Sequence, residues 1–324
     1  MQIVPLETQH LEDAAALFAA RYREQRLRMP VLPARHEDPA GVLPRLAELA
    51  AEVPGVVAIE DGRLRGYLIA MAIPEVKGRE DGAYCPIWGH AAAGDDRAQV
   101  YWRLYQCLAE RWVHTGGETP PLLTHAITLY ADDGEAGDVW FRNGFGMLVV
   151  DALRSLEPLP AGQAPADVAI RQATPDDAGL VLPLARELAQ HVRQSPIFLV
   201  FDEPGKAEHA AWPAQPAHTL WLAESDGEAI GYMRSQPPAH DVANVVHDPG
   251  TISITGAYVR PAWRGRGVAQ ALLARVVEWA RANGYERRAV DFESQNLPGS
   301  HFWLRHFQPV CHSLLRRVDE RVVG

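Results

Sequence analysis

Arg264, Gly265, Arg266 and Gly267 stand between a β-branched run, TISITGAYV (251–259), and an apolar stretch that opens at Val268. In that stretch Leu272, Leu273, Val276, Val277 and Ala280 recur at helical spacing, and Asn283-Gly284 supplies a stop, so the pattern predicts a helix from Val268. Pro261 ends the preceding strand, because proline has no N–H to give a ladder. The four residues are therefore expected at a helix N-terminus. There the first turn leaves N–H groups without partners, and with the helix dipole they attract an anion. Gly265 and Gly267 let the backbone approach a phosphate closely, while Arg264 and Arg266 offer guanidinium forks to its oxygens. The spacing is neither the GxGxxG of a dinucleotide fold nor the GxxxxGK(S/T) of a nucleoside triphosphatase.

The elements that must hold this loop occur twice. IVPLETQHLEDAAALF from Ile3 and IRQATPDDAGLVLPLA from Ile170 each read as a short strand, a capping turn and an amphipathic helix. Asp61-Gly62 and Asp226-Gly227 are hairpin turns, each four residues before a Gly-Tyr pair. AITLYADDGEAGDVW (126–140) lies over AVDFESQNLPGSHFW (289–303) without a gap, and Arg154 falls opposite Arg316. Between the copies, LEPLPAGQAPADV (156–168) has the composition of a linker. The expected organisation is a domain over 1–156, a linker over 157–167 and a second domain over 168–324, each an α/β unit around one mixed sheet.

Length supports two domains, since the chain has 324 residues. With 47% hydrophobic and 22% charged residues the composition is that of an ordinary globular protein. A formal charge of -10 argues against broad nucleic-acid binding. Cys85, Cys107 and Cys311 are odd in number and widely spaced, which fits buried free thiols rather than a disulfide framework or zinc site. HDVANVVHD (240–248) reads as a solvated loop, so no metal is expected. The N-terminus lacks a basic start and apolar run, and no segment approaches the ~20 apolar residues of a membrane span, so a cytoplasmic protein without membrane partners is expected.

The segment Arg264–Ala269 resembles the (Q/R)xxGx(G/A) pyrophosphate loop of the GNAT superfamily of acyl-CoA-dependent N-acetyltransferases, as does the preceding Val-Arg-Pro. The stretch VDFESQNLPGSHFWLRHF is similar to that family's strand, asparagine and helix, with Asn296 at the asparagine position. The resemblance covers the C-terminal half. It implies a splayed pair of parallel strands with the pantetheine arm of acetyl-CoA between them, held by the backbone of Ala257, Tyr258 and Val259. The diphosphate would meet Arg264, Gly265, Arg266, Gly267, Val268 and Ala269, and Asn296 would contact the arm. Acetyl transfer to a small-molecule amine, by a monomer or homodimer, is the implied activity. A non-catalytic acyl-CoA-binding module and a protein amine acetyltransferase are the alternatives.

The family's tyrosine, which often protonates the departing thiolate, is here Trp303. The strand before the loop offers Ser253 and Thr255 where related enzymes often carry a carboxylate base. Candidate bases are therefore Asp291 and Glu293, two apart and so on one face of a strand, with His301 one turn into the next helix. The N-terminal half lacks the arginines and paired glycines; Asp95 and Asp96 stand there instead, placed to cap a helix, and Asp133 replaces Asn296. That half is expected to bind CoA weakly or not at all. Its aromatics Tyr101, Trp102, Tyr105 and Trp112 read as a helix core stripe.

Overall fold

The computed structural model describes residues 1–117, 119–159, 164–200, 205–238 and 243–323. Part of the expected linker and part of the segment 240–248 lie outside the described residues. In chain order the first half runs β1 (Gln2–Pro5), α1 (Leu11–Arg28), α2 (Pro39–Glu52), β2 (Gly55–Glu60), β3 (Arg63–Ile69), β4 (Met71–Ile73), β5 (Gly82–Cys85), β6 (His90–Ala92), α3 (Arg97–Val113), β7 (Thr124–Tyr130), α4 (Gly134–Arg142) and β8 (Gly146–Ser155). The second runs β9 (Ala169–Gln172), α5 (Ala178–Arg193), α6 (Lys206–Ala211), β10 (Thr219–Ser225), β11 (Glu228–Gln236), β12 (Thr251–Val259), α7 (Val268–Ala282), β13 (Arg287–Glu293), α8 (Leu297–Trp303) and β14 (Gln308–Arg317). The order is the same in both halves, except that β4, β5 and β6 stand where the second half has only the unbroken β12. Pro86 and a 3-10 turn over Ile87–Gly89 make the break.

Both hairpins form where the Asp-Gly pairs predict them. Asp61 and Gly62 have φ of 50° and 72°, Asp226 and Gly227 of 50° and 78°, the left-handed pair that a two-residue turn needs.

Two compact units emerge, and they do not follow the halves to the end. One holds residues 1–151, 243–245 and 309–324; the other holds 152–242 and 246–308. The first contains the sheet β1-β2-β3-β6 and the run β4-β5-β7-β14. In it β14 pairs antiparallel with β7 from Cys311↔Tyr130 to Arg317↔Thr124. The second contains the run β13-β12-β11-β10-β9. The strand at the end of each half thus gives its arginine to the unit built mainly from the other. Arg316 stacks on Phe145, 6.0 Å away, and Arg154 stacks on Phe307, 5.8 Å away. The expected boundary at 157–167 did not allow for this exchange, because strand pairing is set by backbone partners far apart in sequence.

Each unit has its own core. In the second, Val181, Leu184, Ala185, Leu220, Leu222, Tyr232 and Tyr258 pack together. The predicted stripe of α7 is buried as well, and burial of each such side chain stabilises by ~1.5–3 kcal/mol. On α3, Tyr101 and Tyr105 are buried but Trp102 is exposed, since a residue one step along a helix is turned off the apolar face. Cys85 and Cys311 are buried free thiols, and Cys107 is half-buried. No helix among the described residues is long and apolar enough to cross a membrane.

Two buried histidines of the first unit share one arrangement. His90 Nε2 lies 2.8 Å from the Thr128 carbonyl and its Nδ1 3.3 Å from the Tyr101 hydroxyl. His125 Nε2 lies 2.9 Å from the Leu122 carbonyl and its Nδ1 2.8 Å from the Tyr105 hydroxyl. A carbonyl only accepts, so each ring donates from Nε2, and in the neutral ring Nδ1 is left to accept from the tyrosine hydroxyl. Burial lowers both from 6.5 to about 4. The unfolded chain therefore binds these protons more tightly than the folded one. Their contribution is fully present above pH 6.5 and is lost as the pH falls toward 4, at about 2 kcal/mol each by pH 5. Urea unfolding between pH 7 and pH 4.5 is expected to show a steep loss of stability, flattened in a His90→Asn/His125→Asn variant. An equal slope in the two proteins would remove the histidines from the explanation.

Candidate active site

The cleft follows from where two strands stop pairing. β12 and β13 are parallel partners only from Thr251↔Arg287 to Ile254↔Val290. Beyond these pairs β12 continues to Val259 and β13 to Glu293, and the strands part. On its other edge β12 stays paired with β11, with Gly231 opposite Val259 and Arg234 opposite Gly256. Residues 257–259 therefore present an open ladder edge to the gap, as a template for an extended arm. Between Arg234 and Ser235 the register shifts, which leaves Thr255 as an extra residue in a β-bulge at the fork.

At the mouth of the gap, Gly267 is the N-cap of α7 with φ 84°, and Gly265 has φ 72°. Nothing lies within 4 Å of a Cβ added at Gly265. Glycine is required there for its left-handed backbone rather than for lack of room. The first helical bond runs from Ala271 N–H to the Gly267 carbonyl, 2.9 Å. The helix has neither a side-chain cap nor an acidic residue in its first turn, so its N-terminus is an unneutralised positive pole. Arg264 Nε donates to the Val259 carbonyl at 2.9 Å, with its guanidinium 5.4 Å from the Tyr258 ring centre. The Arg266 guanidinium lies 4.5 Å above the Trp263 ring.

The resulting cleft has a volume of about 480 Å³. Every residue expected to bind the cofactor lines it except Arg266. Asn296 caps α8, its Oδ1 accepting from Gly299 N–H at 3.3 Å, and His191 Nε2 lies 3.3 Å from the same oxygen. Trp303 lines the wall and packs edge-on against Phe307, 5.6 Å between ring centres. None of Asp291, Glu293 and His301 lines the cleft. Asp291 and Glu293 share a face of β13 on either side of buried Phe292, as their spacing requires, and His301 is exposed on α8. His191 and His306 stand on the wall instead. Burial, then Arg154 and Arg305, lower the pKa of His306, so it is neutral at pH 7. The Tyr258 hydroxyl, bonded to Glu187, is raised chiefly by burial. No sequence signal marks His191, which stands in no motif; His306 lies at the end of the VDFESQNLPGSHFWLRHF stretch, where no spacing sets it apart.

In the first unit the same stations are filled from within. His90 occupies the place of Ala257, opposite Leu68 as Ala257 is opposite Met233, and its ring reaches the Thr128 carbonyl of β7. The loop before α3 has four residues, 93–96, against eight, 260–267, before α7. Asp96 is the N-cap of α3 but makes no capping bond and pairs with Arg65 instead. The first turn of α3 meets the Glu135 carboxylate, to which Ala98 N–H donates at 3.3 Å. Asp133 has the backbone of Asn296, with φ -83° and ψ 75° against φ -82° and ψ 75°, and is clamped by Arg21 and Arg97 at 2.9 and 2.8 Å. These arginines hold its carboxylate below the usual range against the opposing effect of burial. Among the described residues no group of three or more His, Cys, Asp or Glu side chains forms a metal cluster.

Residues 186–307 match the Acetyltransferase (GNAT) family. The chain is 34% identical over 122 residues to the aminoglycoside N(6')-acetyltransferase type 1 of Stenotrophomonas maltophilia, a stretch that is 38% of this chain and 73% of that protein. It is 33% identical over 76 residues to the protein of the same name from Salmonella typhimurium, which covers 24% of this chain and 52% of that one, about half its length. The fold of a GCN5-related N-acetyltransferase from Sphaerobacter thermophilus matches 97% of this chain and 95% of its own, with a TM-score of 0.60 at 17% identity.

Gly267 is both left-handed and the N-cap of α7, which makes it sensitive to change. Gly267→Ala strains the left-handed backbone by about 1–2 kcal/mol and is expected to weaken CoA binding about 10-fold. Gly267→Asp adds a carboxylate at the helix pole and is expected to weaken it by ~100-fold or more. Calorimetric titration of the folded variants with CoA is the check; unchanged affinity in Gly267→Asp would falsify the anion site.

Proposed function

Because this chain belongs to the acetyltransferase (GNAT) family, we propose that its second unit transfers an acetyl group from acetyl-CoA to the primary amine of a small molecule. The observation that carries the reading is the open fork between β12 and β13 running to an uncapped, glycine-opened helix N-terminus. In this reading the N–H groups of residues 265–269 hold the diphosphate, the edge of Ala257–Val259 pairs with the pantetheine arm, and Asn296 bonds it from the start of α8. The thioester then reaches the fork near Thr255 and Gly256. Bound there, acetyl-CoA supplies the activated acyl group. The similar proteins from Stenotrophomonas and Salmonella, named as acetyltransferases of amine-bearing small molecules, support the choice of acceptor class.

The transfer forms an N–C bond, breaks the C–S bond, and moves one proton from the amine to the thiolate or solvent. Trp303 has only an indole N–H and is no proton donor in this range; it packs the wall. Of the side chains on the wall, His306 is neutral at pH 7 and so able to take the amine proton. Asp291, Glu293 and His301, away from the lining, would act only through water. Holding the amine against the thioester supplies a further part of the rate. The first half is a degenerate copy in this reading, with His90, Glu135 and the Arg21–Asp133–Arg97 clamp in the places that a CoA would take.

Three measurements test this. Release of thiol from acetyl-CoA with a panel of amines separates an acetyltransferase from a module that only binds acyl-CoA, and peptide amines in the same panel separate small-molecule from protein acceptors. Equilibrium titration is expected to give one CoA per chain; a stoichiometry near two would mean that the first half opens. With an acceptor in hand, Trp303→Phe is expected to keep turnover within a few-fold. His306→Asn is expected to lower it by ~10²-fold and remove the acidic limb of the pH profile, which lies below pH 6.5 because the pKa is lowered. A larger loss from Glu293→Gln than from His306→Asn would return the base to β13.

A further inference from the structure

Beside the fork lies a cluster of cationic and imidazole side chains that the acetyl-transfer reading does not use. Arg234 stands in register opposite Gly256, and its Nε donates to the carbonyl of the bulged Thr255 at 3.3 Å. A Cβ at position 256 would lie 2.8 Å from that Nε, so glycine there leaves the space the guanidinium occupies. The guanidinium lies 4.4 Å above the ring of Trp212, which in turn lies 4.4 Å from the ring of His218. His209, on α6, is only 2% exposed, and both of its ring nitrogens lack a hydrogen-bond partner, as does His218 Nδ1. Trp212 Nε1 and the Thr255 hydroxyl are buried without partners too.

Among the described residues Arg234 makes no ion pair, although it is only partly exposed and its neighbours along β11, Met233 and Ser235, are buried. The positive field is felt by its neighbours: burial first, and then Arg234, lower the pKa of both His209 and His218. A partly desolvated guanidinium with no carboxylate, next to a fully buried imidazole with two unused nitrogens, is an arrangement that an anion would satisfy. Polycationic acceptors would meet a like charge there.

Resting on the reading that the thioester ends at this fork, we propose that Arg234, His209 and His218 form the acceptor subsite, and that the acceptor amine carries a carboxylate a few bonds away. Arg234 takes the carboxylate as a charged fork, and the imidazoles donate the remaining hydrogen bonds. Because the guanidinium sits directly over Gly256, the carboxylate and the attacking nitrogen belong to one short molecule of amino-acid type.

The test compares amino acids of increasing amine–carboxylate spacing with their carboxamides, and with an aminoglycoside, as acetyl acceptors for the full chain. The wild type is expected to favour the best acid over its carboxamide by ~10-fold or more in kcat/KM, the range of a charged hydrogen bond. Arg234→Gln is expected to erase that preference through KM for the acid, with KM for acetyl-CoA unchanged, and Arg234→Lys to restore part of it. Equal use of acid and carboxamide by the wild type, a preferred aminoglycoside, or an equal fall on both acceptors in Arg234→Gln would overturn the proposal. If no amine is acetylated while CoA still binds, it is the transfer reading that fails. The subsite is then decided by calorimetry with β-alanine: heat in the wild type that Arg234→Gln loses upholds it, and no heat in the wild type overturns it.

Discussion

Everything at the site depends on the point where β12 and β13 stop being neighbours. A parallel pair that ran its full length would satisfy its own backbone and leave nothing to bind an extended ligand. Here the ladder closes after Ile254↔Val290 and leaves the edge of residues 257–259 without a strand partner on one side only, with β11 holding the other. The closed end of the fork is pinned from within. Arg288, fully buried in β13, donates to the Val276 carbonyl of α7 at 2.7 Å and to the Ser235 hydroxyl of β11. Burial and the neighbouring Arg154 both work against its charge. This strained choice ties together the three elements that frame the cleft, and apolar packing alone would not fix their direction so narrowly.

The first unit shows a similar order of elements with the corresponding stations filled from within. Each group that an incoming anion or arm would satisfy has found an internal partner: Glu135 at the start of α3, His90 across the gap, and Asp133 between two arginines. These contacts fill the stations with packing. The price is an acid-sensitive core, since a buried neutral imidazole resists protonation only while the fold holds it.

At the second unit's fork the chemistry has two ends of opposite character. The α7 end offers backbone N–H groups and an unneutralised helix pole, which suit a diphosphate. The Thr255 end offers a guanidinium that makes no ion pair among the described residues, and buried imidazoles with unpartnered nitrogens. Both ends favour negative charge, although the chain as a whole carries -10. Net charge therefore says little about what either end of the site accepts; the placement of a few residues on strands that part decides it.

The sequence by itself determined the local features: the strand ending before Pro261, the glycine-opened turn at 265 and 267, the α7 stripe and the Asp-Gly hairpins. Each depends on backbone conformation and hydrogen bonds within a few residues, so neighbouring residue types suffice to specify it. The matching order of elements in the two halves was legible for the same reason. Only the tertiary structure decided that Asp291, Glu293 and His301 stand away from the cleft wall while His191 and His306 stand on it. It also decided that Arg154 and Arg316 serve Phe307 and Phe145, and that Arg234 meets Trp212 and the bulge at Thr255. These partners are separated in the chain by tens to hundreds of residues and are joined by strand register and helix packing. No short motif encodes such pairings, because their energy exists only once the sheet has formed.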